Sequence, residues 1–337
     1  MKKLVFLFSA LLLLASCSKS FKVNVEYDSD YKGQVYLINY DTNDTIAVAT
    51  LEGNKCTFEG TFDKPFLASL RDDALHTYPM FYLIVNEGET NVKIDKESNF
   101  EASGPLNKVL WEDCYANAVY KLMSSQDYEQ YYKEYLNFYE QNKDNLAGQW
   151  AFCQYLSLKD FSEAEIDALL KEAPAEYAQL KYIERQKYIA RQKELTKVGK
   201  KYLDFEITDK DGKTQKLSDY IGKEGRKTLL FFFWPSNIVQ TDPNTIQLLN
   251  ELQRIAESKE SGGTMVVGVS VFDNPEAAAS AIEGADIKFP VIIGKQALYK
   301  PLELYGLNQS AIHLVLIDEN GNITGRGSKF LDLVNND

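Results

Sequence analysis

TLLFFFWPSNIVQT (228–241) decides the fold. Leu229 to Trp234 are all apolar and leave no polar face. Such a run predicts a strand covered on both sides, as in the middle of a parallel sheet. Pro235-Ser236-Asn237 ends it in a turn. Thr241-Asp242-Pro243 then reads as a cap residue followed by proline in the first helical turn, so a helix is expected to begin near 242 and run to Ser258. Outward from this core the alternation continues. TMVVGVSVF (264–272) predicts the next strand, PEAAASAIEG (275–284) a helix, and FPVIIG, QALYKPLELYG and HLVLIDENGNITGR a further βα unit and a closing hairpin. Upstream, LDFEITDKDGKTQKLSDYIG (203–222) predicts a short hairpin and a helical turn. Residues 198–337 therefore read as one α/β domain.

In order and spacing, these segments resemble the thioredoxin-like (AhpC/TSA-type) family of membrane-anchored redox proteins. The resemblance implies a Cys-x-x-Cys after the Phe-Trp pair and a cis-proline opening the strand near 313. Here Ile238 and Thr241 occupy the two cysteine slots, and Ile312 occupies the proline position. Thiol–disulfide exchange needs a thiolate whose pKa is lowered at a helix N-terminus. Ile238 cannot ionise, and Thr241 is a poor nucleophile without a base beside it. A non-proline cis bond costs roughly 2.5–4 kcal/mol, so the Ala311–Ile312 bond is expected to be trans. The scaffold is kept, both halves of its site are gone, and no catalytic residue is assigned.

The N-terminus reads as an export address. Lys2 and Lys3 precede the apolar run Leu4–Leu14, which is too short to span a bilayer. Leu14-Ala15-Ser16-Cys17 resembles a bacterial lipobox. That resemblance implies cleavage before Cys17 and acylation of its thiol and new amine. Each buried CH₂ contributes roughly 0.8 kcal/mol, so several acyl chains anchor durably. Ser18 in place of Asp implies the periplasmic face of the outer membrane.

Residues 18–104 alternate apolar and polar positions in FKVNVEY, QVYLINY, TIAVATL and NKCTFEGTF, with further strands at PFLASL, MFYLIV and TNVKI. Turn residues separate them at the spacing of an all-β sandwich. With SGPLNKVL (103–110), the block resembles a β-sandwich domain of unknown function that precedes thioredoxin-like domains in lipoproteins of Bacteroides-type bacteria. Residues 105–197 read as a helical connector. QDYEQYYKEYLNFYEQNKDN (126–145) repeats aromatics at helical spacing, Ser162 and Glu165 stand in capping-box register, and Ala175–Val198 predicts one long helix. The tyrosines suit either a sugar-stacking face or packing against neighbours.

The net charge of −12 argues against nucleic acid and against attraction to anionic surfaces. Besides Cys17 the chain has Cys56, Cys114 and Cys153. Cys114 and Cys153 stand open as a disulfide, as reduced thiols or as a redox pair. His76 and His313 are the only histidines, so no zinc-like cluster exists in the sequence, and no metal or cofactor is expected. Asp209–Gly212 and Asp318–Asn322 read as hairpin turns in preference to calcium loops.

The sequence therefore predicts a multi-domain chain: a lipoprotein signal peptide and anchor over 1–17, an all-β sandwich over 18–104, a helical connector over 105–197 and a thioredoxin-like α/β domain over 198–337. The expected partners are a lipid bilayer, through acylated Cys17, and a protein or peptide. The expected role is non-catalytic, with thiol-disulfide oxidoreductase as the alternative.

Overall fold

The structure is a computed structural model that describes residues 19–28, 32–72, 81–97, 99–119, 127–208, 213–233, 243–258, 263–270, 275–293, 299–307, 312–330 and 333. Cys17, Ile238, Thr241, His76, Ser236-Asn237 and Asp209–Gly212 lie outside these residues. The chain divides into two compact units, residues 1–131 with 145–147, and residues 132–144 with 148–337.

Among the described residues the first unit has eight strands: β1 (Lys19–Tyr27), β2 (Gln34–Asn39), β3 (Thr45–Thr50), β4 (Lys55–Phe62), β5 (Phe66–Asp72), β6 (Phe81–Val85), β7 (Gly88–Ile94) and β8 (Phe100–Ala102). They form two four-stranded sheets, in the orders β4-β1-β7-β8 and β3-β2-β5-β6. Alternation explains why. Phe21, Val23 and Val25 of β1, Val92 and Ile94 of β7, Leu37 of β2 and Leu70 of β5 enter one shared apolar cluster. The residues between them stay wet, where Lys22 pairs with Glu59 and Lys55 with Glu26. Gly60 is needed in β4, because a Cβ there would meet the Phe21 ring at 2.7 Å. The pairing of β1 with β7 is parallel, which alternation alone does not disclose.

The motif SGPLNKVL closes an edge of this unit. It forms the short helix α1 (Pro105–Lys108), which runs into a π-helical stretch, Val109–Val119. Asn107 is buried, and its amide makes a two-point bond to the edge strand: Ile84 N donates to Oδ1 at 2.7 Å, and Nδ2 donates to Ile84 O at 3.0 Å. Trp111 Nε1 donates to Tyr82 O at 2.7 Å. The free side of β6 is thus satisfied by the chain itself.

The second unit joins helices to an α/β sheet. Its helices are α2 (Tyr128–Asn142, which starts in the first unit), α3 (Leu146–Leu158, likewise), α4 (Glu163–Glu172) and α5 (Lys181–Leu195). Tyr135 packs on Trp150, and Tyr139, Phe152 and Tyr177 pack together. The helical aromatics are therefore core, which removes the sugar-stacking face. The Ser162–Glu165 capping box forms as expected. The single long helix expected over Ala175–Val198 does not. A 3-10 turn (Ala175–Gln179) and α5 are separated at Leu180, whose backbone is extended. Tyr177, buried with its hydroxyl donating to Lys143 O at 3.1 Å, holds the turn in place.

The stretch expected as a connector over 105–197 is divided between the two compact units. Through residue 131 it goes with the sheets, and the remainder goes with the α/β domain apart from residues 145–147. Side chains distant in sequence explain the merger. Arg185 bonds Glu303, Thr196 Oγ1 donates to Tyr305 O at 3.2 Å, and Arg326 donates to both Thr196 O and Tyr305 O. Gly306 has φ +60° and lies so close to α5 that a Cβ would overlap the Lys193 backbone.

Residues 206–216 form the hairpin β9 (Glu206–Thr208) and β10 (Thr214–Lys216). The central sheet contains β11 (Lys227–Phe233), β12 (Thr264–Ser270), β13 (Val291–Ile292), β14 (His313–Ile317) and β15 (Ile323–Gly327), in the order β13-β12-β11-β14-β15. β11, β12 and β13 are parallel, while β14 and β15 are antiparallel. Helices α6 (Pro243–Glu257), α7 (Pro275–Gly284) and α8 (Tyr299–Leu304) connect them. Leu229 to Phe233 are at most 2 % exposed, as their unbroken apolar run requires. They feed two clusters, one holding Leu230, Phe232 and Tyr305 and the other Phe231, Phe233 and Leu252.

Candidate functional site

In an open α/β sheet, ligands gather at the carboxyl ends of the parallel strands. That end of β11 and β12 is formed by Phe233 and Ser270, which are paired in register. Across the sheet, Phe232 is opposite His313. Ile312 comes one residue before His313, so it stands at the same end, level with Phe233. Its side chain is partly buried and packs with the cluster of Phe231, Phe233, Leu249 and Phe289.

What this end can do follows from its side chains. Phe233 stacks on Phe231 with centroids 4.8 Å apart. Gly268 leaves room for them, since a Cβ there would meet Phe233, Val291 and Phe289 at 3.1–3.3 Å. Among the described residues Ser270 Oγ is buried without a hydrogen-bond partner, and an unactivated hydroxyl is a weak nucleophile. His313 is a half-buried ladder residue. The described part of α6 starts at Pro243, and the Ile238 slot lies outside the described residues.

The three cysteines among the described residues lie elsewhere and are reduced. Cys56 is in β4, Cys114 in the π-helical stretch and Cys153 in α3, all buried. The disulfide left open between Cys114 and Cys153 is not formed, and the two belong to different compact units. Burial pushes the Cys56 thiol up to about 11, which keeps it protonated and poorly nucleophilic at neutral pH.

Among the described residues no group of three or more His, Cys, Asp or Glu could hold a metal. Asp318 spends its carboxylate on the β14–β15 turn: Asn320 N and Asn322 N donate to Oδ1 at 3.0 and 2.7 Å, and Asn322 Nδ2 donates to Oδ2 at 2.8 Å. Burial raises its pKa, but the bonds from Asn322 and Asn320 outweigh this and leave it lowered. Tyr305 is also structural. Its fully buried hydroxyl donates to Leu203 O at 2.8 Å, and burial drives its pKa far up.

Residues 198–326 match the model of the AhpC/TSA family. No curated protein matches the chain. Among solved structures, the chain is similar to the thioredoxin domain of a thiol-disulfide oxidoreductase from Bacteroides vulgatus, at 21% identity and TM-score 0.34, over 41% of this chain and 94% of that one. It is similar to a thiol-disulfide oxidoreductase from Bacteroides fragilis at 18% identity and TM-score 0.32, over 40% and 96%. It is also similar to an exposed lipoprotein thioredoxin from Streptococcus pneumoniae at 26% identity and TM-score 0.30, over 38% and 90%. The family match falls on the five-stranded sheet with its parallel β13-β12-β11 and antiparallel β14-β15, so this stretch is similar to the AhpC/TSA family.

Proposed function

We propose that the protein is a lipid-anchored lipoprotein on the periplasmic face of the outer membrane, and that its thioredoxin-like domain works as a binding or assembly module without thiol chemistry. One observation carries this reading. No cysteine follows Cys153, so the domain that resembles a thiol enzyme has no sulfur nucleophile. The apolar packing of Ile312 supports it, because that position serves the core in place of a substrate-pairing edge. We read the two sheets of the first unit as a β-sandwich that spaces this module from the anchor at Cys17. The module's partner is a protein or peptide.

The second reading, a thiol-disulfide oxidoreductase, is favoured by the family match alone. It requires chemistry from Cys56, Cys114 or Cys153, all of them buried, and fold alone does not assign function. An insulin-reduction assay separates the two. The chain beginning at Ser18 is expected to reduce insulin at the rate of the protein-free control. Turnover that disappears when Cys56, Cys114 or Cys153 is replaced by Ser would establish the enzyme reading instead. For the anchor, Cys17→Ser is expected to abolish palmitate labelling and release the chain from membranes. Continued labelling of that variant would refute the anchor.

A further inference from the structure

β1 starts at Lys19, and only Ser18 separates it from Cys17. Two residues of extended chain reach about 7 Å. The headgroup layer of one leaflet is roughly 5–8 Å thick. With Cys17 acylated, the first residue of the folded unit therefore stands among the headgroups, and no linker holds the sheets away from the bilayer. One end of this unit meets the lipid, and the strand registers say which.

Lys19 is paired with Phe62 at the end of β4, and Phe21 with Gly88 at the start of β7. In the other sheet Phe66, the first residue of β5, is paired with Val85, the last of β6. The start of β1, the β4–β5 turn and the β6–β7 turn thus share one end. Three rings gather there. Phe21 and Phe62 have centroids 6.2 Å apart, Phe21 and Phe66 5.8 Å, and Phe62 and Phe66 6.1 Å. Phe21 is buried, while Phe62 and Phe66 are half-buried and bracket the exposed turn Asp63-Lys64-Pro65. The charges of this end cancel. Lys19 Nζ is 3.3 Å from Glu87 Oε2, and Asp63 is next to Lys64. The outer face of β1 and β4 does not suit the same contact, because the ion pairs Lys22–Glu59 and Lys55–Glu26 stand on it.

We propose that this end, tipped by Phe62, Pro65 and Phe66, seats on the surface of the bilayer that holds the anchor. The proposal rests on acylation of Cys17 and says how the anchored chain is held. Three features select lipid as the occupant. The two-residue tether brings the bilayer to this end of β1, and a tether so short gives an effective concentration in the millimolar range, so a weak contact suffices. The rings and proline flank a charged turn, which lets apolar faces rest on the acyl boundary while Lys64 and Asp63 stay among the headgroups. The balanced charges offer no attraction to anionic lipid, so the surface that fits is zwitterionic and the contact should not depend on salt. In a chain of net charge −12, an end without net charge is also one that an anionic membrane does not repel.

The test adds the lipidated full chain to preformed phosphatidylcholine vesicles and follows lysine modification by a sulfonated amine-reactive ester, read peptide by peptide in a mass spectrometer. The chain beginning at Ser18, free in solution, is the reference. Lys64 should react roughly fivefold more slowly on vesicles than in the reference, because the anionic ester has to enter the headgroup layer. Lys55, about 23 Å along β4 from Phe62, should react equally in both, and added salt should change neither result. Equal rates at Lys64 in the two samples overturn the seating and leave the anchor standing. Equal slowing at Lys64 and Lys55 also overturns it, since the unit then lies on its side. A purified chain without acyl groups on Cys17 overturns the anchor and this proposal together. Slowing of Lys64 in the reference as protein concentration rises gives the end to a second copy and overturns the proposal.

Discussion

Arg326 donates to the Thr196 carbonyl at 2.8 Å and to the Thr196 hydroxyl at 2.9 Å. These residues are 130 positions apart. The same guanidinium reaches Tyr305 O at 2.6 Å. Thr196 caps the end of α5, and Tyr305 follows α8, so one cation satisfies acceptors at two helix ends. Burial alone would favour a neutral group there and lowers the pKa of Arg326, but a guanidinium stays charged at any working pH.

Replacing Arg326 is therefore expected to be costly. Arg326→Met leaves buried carbonyls short of donors and should lower stability by about 2–3 kcal/mol. Arg326→Lys should recover little, because an ammonium lacks the planar fork that reaches both residues. Urea unfolding of the two variants measures this, and an unchanged midpoint for either would contradict it.

Asn107→Ala should destabilise the first unit by about 2 kcal/mol, since it strips both bonds from Ile84 and exposes the edge of β6. Hydrogen exchange offers a local readout. The Ile84 amide should lose protection while amides of β1 in the other sheet keep theirs. Equal protection at Ile84 in variant and parent would rule out the bond as its source.

The Cys56 thiol gives a pH signature. Its folded pKa, about 11, is above the 9.0 of an unburied thiol, so the folded state resists ionisation that the unfolded chain accepts. The associated stability is complete below pH 9 and is lost as pH rises from there towards 11. Cys56→Ala should flatten that part of the stability profile. An identical alkaline slope in parent and variant would assign the loss to other groups.

Restoring the cysteines should not restore the chemistry. Ile238→Cys with Thr241→Cys is expected to leave insulin reduction at background and the thiol at 238 near the ordinary value of about 8.5, because Thr241-Asp242-Pro243 reads as a cap followed by proline in the first helical turn, after that slot. Adding Ile312→Pro should cost stability, since Ile312 packs against Phe231 and Phe233, without gaining activity. Rapid insulin reduction by the double variant would show that only the two sulfurs had been lost.

Local pattern made the strands legible. The alternation of FKVNVEY became β1, and the unbroken run around Phe231 became the middle of the central sheet, because period and burial are properties of a short window. The place of the candidate site was legible for the same reason, as strand ends follow from strand order. What stayed hidden depends on residues far apart in sequence. Nothing near Asn107 indicates that it serves Ile84, 23 positions away, and nothing near Thr196 indicates Arg326. The connector consequently read as a separate piece. Leu180, in an otherwise helical stretch, gives no local sign of a break, since the cause is the burial of Tyr177 against Tyr139 and Phe152.

The reduced state of Cys56, Cys114 and Cys153 has a consequence for how the molecule matures. No cross-link joins the described residues, so this part of the fold can reach its native state without an oxidant or an isomerase to shuffle bonds. Its unfolding midpoint should be the same in reducing and oxidising buffer. A molecule built on an oxidoreductase scaffold is in this respect indifferent to the redox potential around it.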